Sequence, residues 1–425
     1  MVRRWRRISM WIGLSLIIIA LTWFVLAMSR AVVVFTEGGI YQRIMIPVGA
    51  KFLAWRADLA IHAEQPDLRM PQGPIVAPRA DNRYEVSWVC GQDVQRELVT
   101  ATEIDLQCRD HRRHIHWMTT QATQRPFSSD NNVAVISDLE GNLAYFLDWG
   151  KHAGVLDDAG RWAFGDGQLV ILGDSVDRGR QVFDLLWKLH ALEYEATIAG
   201  GAVHVILGNH EQYVLQGRLS SVEPEHLWAT EQMMPYADAW SAQTVLGRWL
   251  RSKPIMLTLG DTLFVHGGIS PSALQLGLTV EQWNQRHRSA LMLNNHDPQV
   301  FGPTSPTQYR GYLYATDAYS LATQSHIEAT LTQFGVQRIV VGHTQTEALT
   351  PRFNNRVFAI ELGEHAGDYL MIMNHEPVVK QSELRKQRFR DPNTHQRQFE
   401  LLNRSDWRAF FGVFITAGRS VFASM

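Results

Sequence analysis

Two short apolar runs of β type, Leu169–Leu172 and Val203–Leu207, each stop at a glycine followed by polar residues. Between them Val182, Leu185, Leu186, Leu189 and Leu192 recur at helical spacing. That pattern predicts a βαβ unit, with parallel strands and a right-handed crossover. It also recurs elsewhere: Val133–Ser137 runs into Asp138-Leu139-Glu140-Gly141-Asn142, Thr262–Val265 into His266-Gly267-Gly268, and Arg338–Val341 into Gly342-His343-Thr344. In open α/β sheets, ligands collect at the carboxyl ends of the strands. Here those ends carry carboxylates, an amide oxygen and imidazoles, which are divalent-metal ligands, beside Arg178, a phosphate-seeking side chain. The glycine next to each lets the backbone turn sharply and approach an ion closely. Phe358–Leu362 and Tyr369–Met373 read as closing strands.

Outside this region the pattern changes several times. Arg3, Arg4, Arg6 and Arg7 precede an uncharged apolar run from Ile8 to Met28 with no polar face. About 20 residues at ~1.5 Å rise cross a ~30 Å hydrocarbon core. The arginine cluster favours a cytoplasmic amino terminus. A cleaved signal peptide is the alternative, but Leu26-Ala27-Met28-Ser29 is a poor cleavage site. Residues 31–80 alternate short apolar runs with Gly and Pro, and 65–74 read as a linker. Residues 84–118 have strand character and hold the chain's two cysteines, Cys90 and Cys108, at matching strand ends. Their spacing is not of the CxxC type, so a structural disulfide is expected, with two separate buried thiols as the alternative. His111, His114 and His116 among arginines read as a solvated strand or loop rather than a metal tract.

Residues 212–247 form an insertion with helical periodicity, placed to roof the strand-end residues or simply to pack as a subdomain. After Glu376 the chain is basic, then aromatic and apolar. It suits a surface-lying amphipathic helix or a tail folded back on the amino-terminal segment. The expected division is therefore 1–30 cytoplasmic end and anchor, 31–130 linker and small β-rich segment, 131–375 catalytic domain, and 376–425 tail. The 425 residues are 45% hydrophobic with a formal charge of −2, which excludes a generally basic, nucleic-acid-binding surface.

GDSVDRG (173–179) and GNHE (208–211) resemble, without a gap, the two signature blocks of the calcineurin-like metallophosphoesterase superfamily. With WLRSKP (249–254), LFVHGGISP (263–271), YRGY (309–312) and VVGHTQT (340–346), residues 131–374 are similar to PPP-type phosphatases, and more narrowly to their Shewanella-like branch. The resemblance implies a four-layer α/β/β/α sandwich and two divalent ions, Mn2+ first, with Mg2+ or Fe as alternatives. It implies that Asp174 bridges the ions, that Asp138 and Glu140 serve the first, and that Asn209, His266 and His343 serve the second. His210 matches the general acid and Asp177 its orienting carboxylate, while Arg178 and Arg310 match phosphate clamps. Two such ions activate water and hold both oxygens of an in-line displacement. An imidazole suits the acid because its pKa lies near neutrality.

One departure stands out. The family usually has His where Glu140 stands. A ligating carboxylate would make the first site all-oxygen, favour Mn2+ or Mg2+, and shift the pH optimum upward. The other reading is that Glu140 does not ligate and the first site is weak. The expected activity is a serine/threonine- or tyrosine-phosphatase-like hydrolysis of phosphoproteins or small phosphomonoesters. The enzyme would sit outside the cytoplasm on a single-pass membrane anchor, in the periplasm if bacterial. A nucleotide or dinucleoside-polyphosphate hydrolase is the rival enzyme, and a membrane-anchored binding module with a decayed metal site is the rival class.

Overall fold

The computed structural model describes residues 2–36, 42–49, 51–56, 68–118, 132–219, 221–386, 394–404, 406–407 and 410–411. The chain forms two compact units, Met1–Leu68 with Arg390–Met425, and Arg69–Phe389.

In the first unit a helix, Val2–Ser29, is followed by an antiparallel sheet ordered Thr394–Gln398, Val32–Thr36, Gln42–Val48, Lys51–Arg56. The carboxy-terminal strand pairs directly with the strand after the helix, Val32 opposite Gln398. Met28, Ala31, Val33, Ile44, Phe399 and Phe410 bury together. The tail therefore folds back on the amino-terminal segment. In contrast, Ile12, Leu16, Ile17, Ile19 and Leu21 along the helix are exposed. The stretch Trp11–Ser29 is long and apolar enough to cross a membrane.

The second unit begins with small sheets. Leu68–Pro78, Tyr84–Gly91 and Asp93–Val99 form one, and Glu103–Cys108 with His111–His116 another. Residues 68–74, read as linker from their Pro and Gly content, lie in the edge strand Leu68–Pro78, where prolines are tolerated because one side of the ladder has no partner. Cys90 and Cys108 are disulfide-bonded, with Cα atoms 5.5 Å apart. The bridge spans 18 residues of sequence, which on the chain-entropy model corresponds to roughly 3 kcal/mol. The pair Cys90→Ser/Cys108→Ser is expected to lose about that much in urea unfolding of the oxidised protein.

Two larger sheets carry the core. One is ordered Ala202–Ile206, Gln168–Leu172, Val133–Ile136, Tyr369–Met373, Glu376–Lys380, with the first three strands parallel. The other is ordered Met256–Leu259, Thr262–Val265, Arg338–Val341, Val357–Ala359. Val133, Val135, Val170 and Leu172 of one sheet bury against Phe264, Val340 and Phe358 of the other. Alternate residues Leu169 and Ile171 are buried as well. Helix Val182–Ala199 packs on the first sheet and helix Val280–Met292 on the second. Burial on both faces explains why these strands are unbroken apolar runs rather than alternating ones. Glu376–Lys380 extends the first sheet through a tight turn at Asn374 and His375, both in the left-handed region.

The insertion after the GNHE block forms helices Pro224–Met233, Tyr236–Ala239 and Val245–Ser252. Phe183 and Trp240 stack 5.4 Å apart, and the buried ring of His226 lies 4.8 Å from Phe183. Neither ring nitrogen of His226 has a hydrogen-bond partner, and burial pushes its pKa down from 6.5 to about 3. The unfolded chain thus takes up this proton before the folded one does. The stabilising contribution is whole above pH 6.5 and is lost as pH falls toward 3. At pH 5 the loss is about 2 kcal/mol. His226→Phe should flatten this dependence, seen as a smaller drop in Tm between pH 7 and pH 5 than in the wild type.

Candidate metal centre

The strand ends of both large sheets meet over one pocket. Left-handed backbone is concentrated there: Asp138, Glu140, Asp174, Asp177, Arg178 and His343 all have φ between 50° and 65°. Non-glycine residues adopt that region at a cost, and such strain clusters at functional sites. The glycines at the strand ends are equally constrained, since a Cβ on Gly208 would collide with Asp174 Oδ1.

Ligand atoms of the buried residues Asp174, His266 and His343 lie within 4.8 Å of one another. His266 Nδ1 donates to the Leu172 carbonyl at 2.6 Å, which fixes the tautomer and turns Nε2 toward Asp174 Oδ2, 3.1 Å away. The buried Asn209 Oδ1 has no hydrogen-bond partner. An oxygen orphaned in this way beside a carboxylate and two imidazoles is a donor set for a divalent cation. The electrostatics agree. Burial opposes charge on His266, but Asp174 and Asp138 outweigh it and raise its pKa to about 10. Burial alone would raise the Asp174 carboxyl, yet His266 and His210 hold it well below its usual range. Burial, with His266 and Arg310 beside it, keeps His343 neutral.

The expected acid pair is also assembled. His210 Nδ1 is 2.8 Å from Asp177 Oδ2, and its Nε2 is 2.9 Å from Arg178 Nη2. A guanidinium only donates, so Nε2 accepts from Arg178 and Nδ1–H donates to Asp177. Burial disfavours the imidazolium, but Asp174 and the Asp177 hydrogen bond more than offset this and raise the His210 pKa. Arg310 reaches the same rim, with Nη1 donating to the His343 carbonyl at 2.7 Å.

Asp138 and Glu140 adjoin the Asp174–His266–His343 cluster but are not among its mutually close ligand atoms. Asp138 Oδ2 accepts from the His343 backbone N–H at 3.0 Å and from the Ser137 hydroxyl. Glu140 Oε1 is ion-paired with Arg178, and its Oε2 lies 3.8 Å from Lys386 Nζ. Lys386 is buried, donating to the Asp138 carbonyl at 2.8 Å and to Glu361 Oε1 at 2.9 Å. Burial opposes its ammonium, but Glu361, Glu140 and Asp138 together hold its pKa above the ordinary value. Glu211 pins the pocket from below, accepting from the backbone N–H groups of Gly208, Asp174 and Ser175. Nothing in the sequence pattern points to Lys386, and Glu211 reads there as one of the metal-type carboxylates at the strand ends. For Glu211 there was a local signal, an acid three residues into a helix opening at Gly208; for Lys386 there was none.

Residues 132–347 match the calcineurin-like phosphoesterase family. The chain is 25% identical over 295 residues to Shewanella-like protein phosphatase 2 of Arabidopsis thaliana, covering 57% of this chain and 74% of that one. It is 30% identical over 137 residues to the symmetrical bis(5'-nucleosyl)-tetraphosphatase of Nitrosomonas europaea, covering 32% and 44%. The crystal structure of a cold-active protein-tyrosine phosphatase from a psychrophilic Shewanella superposes with a TM-score of 0.64 at 29% identity, covering 73% of this chain and 96% of that one. A two-sheet sandwich with an Asp–His cluster at its strand ends, matched over half its length by one family, makes this chain a member of the calcineurin-like phosphoesterases and a metal-dependent phosphoric ester hydrolase.

Proposed function

We propose that the chain is a membrane-anchored phosphatase that hydrolyses phosphate monoesters, small or protein-borne. The observation that carries this reading is the juxtaposition of a cation-demanding cluster, Asp174, Asn209, His266 and His343, with an imidazole–carboxylate pair and two arginines on one rim. When bound there, a divalent ion supplies Lewis acidity and lowers the pKa of water, and Mn2+ suits the mixed oxygen and nitrogen donors. The protein's own groups do the rest. Arg178 and Arg310 bind and orient the phosphate oxygens, as planar donors that never lose their charge. A phosphate that draws Arg178 away frees His210 Nε2 to take up a proton from solvent, which the raised pKa of the ring favours, and the imidazolium so formed gives that proton to the leaving oxygen while Asp177 holds the ring at Nδ1. Similarity to a protein-tyrosine phosphatase along 96% of that enzyme favours monoesters, whereas the likeness to the tetraphosphatase covers less than half of it.

The apolar helix with its arginine-rich start supports an anchor, and the disulfide supports an oxidising compartment for the catalytic unit. One set of assays tests the reading: p-nitrophenyl phosphate, phosphopeptides and diadenosine tetraphosphate compared side by side, with and without EDTA. Monoester and phosphopeptide turnover that EDTA abolishes and Mn2+ restores is expected. Preference for the tetraphosphate would install the nucleotide hydrolase instead, and no turnover on any ester would leave a binding module. Removal of residues 1–30 is expected to shift the protein from the membrane to the soluble fraction.

A further inference from the structure

The two halves of the pocket differ in what they lack. On the Asp174 side, Asn209 Oδ1 is buried with no hydrogen-bond partner, and the imidazole His266 faces a carboxylate. On the Asp138 side, cations already stand against the neighbouring carboxylate. Glu140 has a cation near each oxygen, Arg178 on Oε1 and Lys386 at Oε2. The Lys386 ammonium donates to the Asp138 main-chain oxygen and to Glu361. Asp138 itself already accepts from His343 N–H and from Ser137. A second divalent ion bound by Glu140 would have to displace Arg178 from its carboxylate and sit beside the buried Lys386 ammonium, where like charges repel strongly.

We infer that this centre holds a single resident divalent ion, at Asp174, Asn209, His266 and His343, and that the Lys386 ammonium, with Arg178, supplies the positive charge on the Asp138–Glu140 side. The inference rests on the metal-dependent phosphoesterase reading and deepens it. Glu140 is then a positioning residue rather than a ligand: it holds Arg178 at the rim, within reach of His210 and of an incoming phosphate. This resolves the two readings of the Glu140 departure in favour of the non-ligating one, and it gives a physical reason, because a neutral imidazole at position 140 could not pair with these two cations.

Metal counting tests this without recourse to turnover. The full chain, stripped with EDTA and titrated with Mn2+, is followed by calorimetry, and the dialysed protein by elemental analysis. The wild type is expected to retain one Mn2+ per chain. The variant carrying Glu140→His, Lys386→Gln and Glu361→Gln removes the ammonium together with its partner Glu361 and keeps Asp138 and Asp174, and it is expected to retain two. Two tightly held ions in the wild type would overturn the inference while leaving the phosphoesterase reading intact; none would overturn both. A folded triple variant that still holds one ion would show that Lys386 is not what excludes the second. Should that variant fail to fold, the wild-type count decides alone.

Discussion

His210→Ala is expected to lower kcat for a phosphomonoester by about 10^2- to 10^4-fold, the range associated with a positioned general acid. The loss should be accompanied by unchanged Mn2+ content, because the cluster Asp174–His266–His343 does not include this imidazole. Asp177→Asn separates the orienting role from the acid role. Asp177 Oδ2 is 2.8 Å from His210 Nδ1, and that hydrogen bond supports the protonated ring. Its loss weakens support for the imidazolium, so the His210 pKa falls and the alkaline limb of the kcat profile moves to lower pH. A purely structural carboxylate would reduce kcat without moving that limb. Phenyl and alkyl phosphates sharpen the result, since a poor leaving group needs the proton more and should suffer the larger drop in His210→Ala.

Lys386→Met is expected to destabilise the protein by about 3–5 kcal/mol, the usual cost of removing one member of a buried ion pair. Lys386 and Glu361 are both buried, and the ammonium also satisfies the Asp138 carbonyl. Burial, with the nearby Asp138 charge, raises the Glu361 carboxyl against the opposing pull of the Lys386 ammonium, so removing the lysine raises it further and leaves a buried acid without its partner. Adding Glu361→Gln to Lys386→Met should recover most of the loss, because the uncompensated acid goes with it. Urea unfolding of the two variants checks this; equal stability of single and double variants would mean that the pair carries little of the energy.

These two residues mark where the sequence stopped being readable. The strand-end residues that gather at the cluster were legible as candidates because each is announced locally, by an apolar run closing on a glycine, and the strands are buried on both faces. Cys90 and Cys108 were legible because they close matching strands in one short segment. The arrangement around Glu140 was not. Its partner Lys386 reaches Asp138 from 248 positions along the chain, out of a stretch whose basic composition resembles an ordinary solvated tail. Only the turn at Asn374–His375 and the strand Glu376–Lys380 carry that stretch back to the pocket. The linker reading of 68–74 failed for a different reason: Pro and Gly signal a break in a central strand, but an edge strand accommodates both.

The pairing of Val32–Thr36 with Thr394–Gln398 has a consequence for biosynthesis. The hydrolase unit is inserted between the two parts of the smaller one, so all of its sequence is synthesised before the last strand of the small sheet. Until then Val32–Thr36 has a neighbour on one side only, and Met28, Ala31 and Val33 lack the Phe399 and Phe410 side chains that cover them. A message truncated just before Thr394 would encode the whole hydrolase unit but leave the small sheet with an open edge at Val32–Thr36, the kind of surface on which chains associate with one another.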